Sequence, residues 1–123
     1  MVSPAVGKVI LVPFPFSDLS ESKLRPAVVL ADARRGDWIL CQVTSNPYGD
    51  PHAVSITDES FSHGALRIAS FARPGKLFTA SSGLMLGEVG MLKADVTRQI
   101  INRIIDMLKG RMEQDETDPG TTG

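Results

Sequence analysis

Lys23-Leu-Arg-Pro-Ala-Val-Val-Leu-Ala31 and, beyond a polar turn from Asp32 to Asp37 that contains Gly36, Trp38-Ile-Leu-Cys-Gln-Val-Thr44 form the stretch that decides the fold. Pro26–Ala31 and Trp38–Thr44 are short runs rich in β-branched and aromatic residues, and the turn between them is short, so they pair as a hairpin. Upstream, Lys8-Val-Ile-Leu-Val-Pro13 reads as another strand, expected to stop at Pro13 and Pro15, neither of which can donate a ladder hydrogen bond. The connection Phe14 to Leu24 is long for a hairpin, polar after Phe16 and free of any helical stripe, which marks it as a candidate binding lid. Downstream, Ser45 to Pro51 is dense in turn formers, and His52–Thr57 alternates like a half-buried strand. Asp58–Gly64 resembles one helical turn capped by Asp58 and closed by Gly64. Leu66–Arg73 is a strand ended by Pro74-Gly75, Leu77–Gly83 fits strand or loop, and Glu88–Leu92 is a last strand. From Lys93 to Lys109, Val96, Ile100, Ile101, Ile104, Ile105 and Leu108 fall on one helical face. Five or six closely spaced strands and then one amphipathic helix make a mainly β (α+β) chain, a small, strongly bent antiparallel barrel with the helix at its C-terminal end. The four isoleucines offer more apolar stripe than such a barrel covers, so a homodimer is expected.

The 123 residues are one domain's worth of chain, with 42% hydrophobic and 22% charged side chains, a globular balance. The domain is expected to span residues 1–110. Residues 111–123, rich in Glu, Asp, Thr and Gly, are expected to be a disordered acidic tail. The tail holds one basic and four acidic residues of the chain's 13 and 14, so the body carries 12 against 10 and is mildly basic although the whole chain is at −1. That charge alone implies no polyanion partner. A single cysteine excludes an intrachain disulfide and multi-cysteine zinc motifs, and two histidines leave few ligands, so no metal or other cofactor is expected. No run approaches the ~20 apolar residues of a membrane span, and Met1–Gly7 lacks the plan of a signal peptide, so no membrane association and a cytoplasmic location are expected.

Chemistry concentrates at two strand ends. In a hairpin turning near Arg34 to Gly36, Arg25 at the start of one strand comes beside Thr44-Ser45-Asn46 at the end of the other. A planar guanidinium next to a hydroxyl suits a phosphate and the extra charge of a pentacoordinate transition state, and Arg73 at another strand end is a second such cation. Surface arginines and a hydroxyl capping the Asn46-Pro47 bend account for the same pattern. His52 and His63 could form an acid–base pair, but both sit in undistinguished turn-flanking positions where exposed histidines are common. Tyr48, in a Pro/Gly turn, is the best candidate for stacking on a base, whereas Trp38, Phe14 and Phe16 read as packing. Cys41, between Leu40 and Gln42, reads as core. There is no Gly-rich phosphate loop, His-Glu-x-x-His or Gly-x-Ser-x-Gly, which disfavours nucleotide hydrolysis, zinc proteolysis and common esterase chemistry.

Gly7-Lys-Val-Ile-Leu-Val-Pro-Phe-Pro-Phe-Ser-Asp18, Lys23-Leu-Arg-Pro-Ala-Val-Val-Leu30, Cys41-Gln-Val-Thr-Ser-Asn46, Ser70-Phe-Ala-Arg-Pro-Gly-Lys-Leu-Phe-Thr79 and Leu86-Gly-Glu-Val-Gly-Met-Leu92, in that order, resemble the MazF/PemK toxins of toxin–antitoxin modules. The resemblance implies an SH3-like barrel, a dimer, and metal-independent cutting of single-stranded RNA to a 2′,3′-cyclic phosphate and a 5′-OH. It also implies a cognate antitoxin whose acidic segment occupies the cleft. It assigns catalysis to Arg25 and Thr44; beside them Lys23, Ser45, Asn46, Tyr48 and Arg73 are expected to contact RNA, with Arg25 and Arg73 as charge stabilisers or proton donors and Thr44 as an oxyanion donor. Some members carry an acidic residue where this chain has Gly75, so no proton acceptor is assigned. Two other functions fit a barrel of this kind. One is inhibition of DNA gyrase by protein contact, as in the related CcdB toxins, and the other is a non-catalytic SH3-like binding module.

Overall fold

The computed structural model describes residues 2–15 and 22–117. Seven strands, β1 (Lys8–Pro15), β2 (Ser22–Arg34), β3 (Asp37–Thr44), β4 (Val54–Ile56), β5 (Phe61–Gly64), β6 (Ser70–Ser81) and β7 (Gly87–Leu92), precede one helix, α1 (Ala94–Thr117). They form a single antiparallel sheet in the order β4-β6-β3-β2-β1-β7-β5. The two edge strands are consecutive in sequence and separated only by residues 57–60. The sheet therefore curls until its edges nearly meet, a half-barrel with the helix laid on it.

The central strands are buried on both faces. Val9 and Ile10, Val28 and Val29, and Leu40 and Cys41 are adjacent pairs that each lie fully out of solvent. One member of each pair joins a cluster with Val54, Ile56, Phe61, Leu92 and Ile100; the other joins a second cluster with Val12, Ala80 and Met85. Two-sided burial is why these runs are continuously apolar rather than alternating.

The prolines shape the ladder. Leu11 turns its carbonyl toward β7, accepting from the Leu86 amide at 2.9 Å. Pro13 and Pro15, two and four residues on, direct their hydrogen-less nitrogens to the same side, past the last β1–β7 pair at Leu11–Gly87. They cost the sheet no bond, so β1 runs on to Pro15, pairing Phe14 with Lys23 and Pro15 with Ser22. The expected Phe14–Leu24 loop is thus strand at both ends, and the part of the lid at 16–21 lies outside the described residues. Pro26 acts in the opposite way. It sits across from Leu11, in a pair whose backbone groups point outward, so its nitrogen faces β3 and cannot donate. The β2–β3 ladder ends at Ala27–Gln42, while β3 continues to Thr44 with β6 alone.

Three further expectations are corrected. Pro74-Gly75 does not end a strand: β6 runs through to Ser81, because a bulge between the Val43–Ala72 and Cys41–Leu77 pairs takes up residues 73–76. Only Asp58–Ser60 forms a helical turn, and Phe61–Gly64 pairs with β7. The helix passes Gly110 and continues to Thr117; an interior glycine costs only about 1 kcal/mol relative to alanine, and it is flanked by Lys109 and Arg111, good helix formers. Residues 118–123 lie outside the described residues. The isoleucine stripe is also largely satisfied within the chain, since Ile100 is fully buried and Ile101 and Ile104 pack on the first cluster, leaving Ile105 39% exposed.

Gly64 and Gly90 face each other where β5 meets β7. Gly64 has φ +84°, and a Cβ on it would collide with the Val89 carbonyl, just as one on Gly90 would collide with that of His63. Gly64→Ala or Gly90→Ala is expected to lower the free energy of unfolding in urea by at least about 2 kcal/mol, while Gly36→Ala, which meets nothing, costs less.

Candidate functional site

Past Ala27 and Gln42, β2 and β3 diverge and a cleft of about 510 Å³ opens between them. Arg25, Thr44 and Ser45 line it, brought together from the two ends of the hairpin, and the segment 65–68 closes the opposite wall. The structure thus joins three of the residues singled out in the sequence. Thr44 Oγ1 accepts a hydrogen bond from the Asn46 amide at 3.2 Å, which fixes the hydroxyl oxygen and turns its hydrogen to other acceptors.

Asn46, Tyr48 and Arg73 build a neighbouring unit outside the cleft wall. The Asn46 Oδ1 accepts from the Tyr48 amide at 2.9 Å and holds Tyr48 at φ +54°, with 70% of the residue exposed. The Arg73 guanidinium lies 5.5 Å from the centre of that ring and donates from Nε to Asp50 Oδ2 at 3.1 Å. Arg73 is therefore a support for Tyr48 and Asp50, not a cleft-lining cation beside Arg25. Lys23 is exposed on β2 opposite Phe14 and also stands outside the wall.

Glu88 and Arg67 reach the cleft and were not singled out in the sequence. Glu88 reads there as one polar position in a short strand; only the β1–β7 register brings it to the site, and Lys8 Nζ lies 2.8 Å from its Oε1. His52 and His63 do not line the cleft; His63 is exposed on β5 opposite Met91, so no imidazole pair is assembled there. At Gly75, a side chain would press on Met107 of the helix at 3.2 Å. Cys41 is core: burial pushes its thiol up to about 12, and Sγ donates to the Arg73 carbonyl at 3.2 Å. Phe14 packs edge-on against Phe78 at 4.9 Å, and Trp38 packs on the second cluster. Among the described residues no three His, Cys, Asp or Glu side chains converge as a metal site, and no helix is long and apolar enough to cross a membrane.

Asp50 ties the unit together. Its carboxyl lies below the ordinary 3.8, chiefly because the His52 amide donates to it; burial opposes this, and Arg73 adds a hydrogen bond and its charge. A lowered carboxylate pKa stabilises the fold above the unfolded-state value, and the gain is lost as pH falls through the folded-state value. Asp50→Asn is expected to cost about 1–2 kcal/mol in unfolding free energy at pH 7, with the gap from the parent narrowing below pH 3.8, checked by denaturation across pH.

A family model described as PemK-like, MazF-like toxin of type II toxin-antitoxin system matches residues 5–108. No curated protein matches the chain. Among solved structures, a MazE–MazF complex from Deinococcus radiodurans is 20% identical with a TM-score of 0.69, covering 85% of this chain and 95% of that one. MazF from the same organism is 20% identical with a TM-score of 0.66, covering 88% and 98%. A mycobacterial endoribonuclease in complex with its cognate antitoxin is 11% identical with a TM-score of 0.66, covering 86% and 95%.

Proposed function

This chain belongs to the PemK-like, MazF-like toxin family of type II toxin-antitoxin systems, and from that premise we propose that it is an endoribonuclease toxin cutting single-stranded RNA in the cleft between β2 and β3. The observation that carries the reading is the meeting of Arg25 and Thr44 in one cleft from positions 19 residues apart. No metal is required. The RNA supplies its own nucleophile: the 2′-oxygen bonds to the adjacent phosphorus, the bond from phosphorus to the 5′-oxygen breaks, and the ends are a 2′,3′-cyclic phosphate and a 5′-OH.

Each residue has a role in that step. Arg25 offers two parallel guanidinium N–H groups to the non-bridging oxygens as their charge grows. Thr44 donates its hydroxyl hydrogen to the same group of oxygens. Glu88 is the carboxylate among the described cleft residues, and it takes the 2′-OH proton while Lys8 holds it in place. The departing 5′-oxygen takes a proton from water at the open mouth. Tyr48, presented outward over Arg73, stacks on a base beside the cut, with Ser45, Asn46 and Lys23 along the strand's path. An antitoxin's acidic segment would neutralise Arg25 and Arg67 in the same cleft. The toxin acts as a cytoplasmic homodimer, and exposed Leu77, Leu84 and Leu86 give it apolar surface outside the helix.

Purified protein incubated with mixed-sequence RNA in excess EDTA is expected to yield cyclic-phosphate and 5′-OH ends. Arg25→Ala is expected to lower the rate by about 10²–10³ with folding intact, and Arg25→Lys to recover it incompletely because an ammonium lacks the planar fork. Thr44→Ala and Glu88→Gln are expected to slow cleavage, the latter because an amide cannot take up the 2′-OH proton. Intact RNA, dependence on a metal, or equal rates in the Arg25 and Thr44 variants overturns the reading in favour of gyrase inhibition or a binding module. A monomer by sedimentation at micromolar concentration overturns the dimer.

A further inference from the structure

Beside the cleft lies a smaller cavity of about 160 Å³, between Ile56, Thr57 and Asp58 on one side and residues 66–69 on the other. Leu66, Arg67 and Ile68 belong to the walls of both spaces, so cleft and cavity are neighbours on either side of a single stretch of chain. The cavity's surfaces are of two kinds. Ile56, Leu66 and Ile68 are aliphatic, Ile68 being 61% exposed, whereas Asp58 and Arg67 present opposite charges to solvent.

The frame that carries Asp58 is stiff. The Thr57 amide donates to Ser60 Oγ and the Ser60 amide to the Thr57 carbonyl, each at 3.0 Å. The Ser60 carbonyl accepts from the Lys93 amide at 2.8 Å, and Ile56 is anchored in the core. None of these bonds uses the Asp58 carboxylate, so the backbone that carries it is held while its two oxygens face solvent.

We propose that this cavity is a base subsite, in which Asp58 reads a guanine flanking the scissile phosphate; the proposal rests on the ribonuclease reading of the adjoining cleft. An ionised carboxylate only accepts hydrogen bonds. Guanine presents two neighbouring donors, N1–H and the N2 amino group, that match the two carboxylate oxygens. Adenine and cytosine present one amino group beside a ring nitrogen lone pair, and uracil presents one N–H between two carbonyls, so each sets an acceptor against the carboxylate. Single-stranded RNA is the nucleic acid that exposes this edge. The aliphatic walls cover the base faces, and Arg67 on the shared wall offsets the repulsion between Asp58 and the passing phosphates.

Sequencing the cut ends from a degenerate single-stranded RNA library, using the full chain, tests this. The parent protein is expected to enrich guanine at one fixed position next to the cut by about tenfold or more, the discrimination of a good bidentate contact. Asp58→Asn, which replaces one of the two acceptors with a donor, is expected to abolish that enrichment while still giving cyclic-phosphate ends. Ile68→Ser, at an exposed position, is expected to raise KM several-fold on a guanine-containing substrate. Cleavage by the parent without guanine preference, or an unaltered profile in Asp58→Asn, overturns the subsite and leaves the ribonuclease reading standing. So does a change confined to binding of an acidic antitoxin peptide. Failure of the parent to cut any RNA, by contrast, overturns the ribonuclease reading itself.

Discussion

The cleft exists because one amide hydrogen is missing. Pro26 faces its nitrogen toward β3, where a donor would extend the β2–β3 ladder by another step, and having none it ends the ladder at Ala27–Gln42. Beyond that point β2 follows β1 and β3 follows β6, so each strand remains paired on one side while the seam between them opens. The two residues at the lips of the seam, Arg25 and Thr44, are consequently on rigid strands and yet reachable from solvent. Two residues further in on each strand, Ala27 and Gln42 already lie inside the intact sheet. The Arg-Pro dipeptide thus combines a charge and the backbone interruption that exposes it.

The remainder of the molecule keeps that seam from closing or spreading. Central strands buried on both faces resist sliding, since moving either by one residue exchanges Val28 with Val29 or Leu40 with Cys41 between differently shaped clusters. The bulge at 73–76 absorbs a mismatch between β3 and β6 without breaking their pairing, and its freed Arg73 carbonyl accepts from the Cys41 thiol. At the same place Arg73 reaches out to Asp50 and Tyr48, so the core irregularity and the outward tyrosine share one residue.

Much of this was readable from local pattern. The hairpin, the helix face and the nearness of Arg25 to Thr44 depend on periodicity and on a short turn, which are properties of neighbouring residues. What was not readable depends on register. Pro13 and Pro15 look like strand terminators until it is known on which side their nitrogens point, and Pro74 until the bulge that holds it is known. Phe61–Gly64 becomes a strand only because Gly64 meets Gly90, and Glu88 reaches the cleft only through its pairing with Ile10. Arg73 reads in the sequence as a strand end but lies in a bulge within β6, and its engagement with Asp50 was not legible because a turn separates Asp50 from β3. The four isoleucines were correctly placed on one face, and the area of barrel available to cover them was underestimated.

The short edges of the sheet have a consequence for recognition. β4 has three residues and β5 four, so the outermost strands of the sheet are short. A peptide that tried to extend the sheet there would gain only a few main-chain hydrogen bonds, too few to offset the cost of ordering itself. At these two edges, affinity for a partner comes instead from side chains inserted into grooves. Such binding can be competed by whatever else fits the groove, so two ligands of one groove exclude each other with no change of fold needed to switch between them.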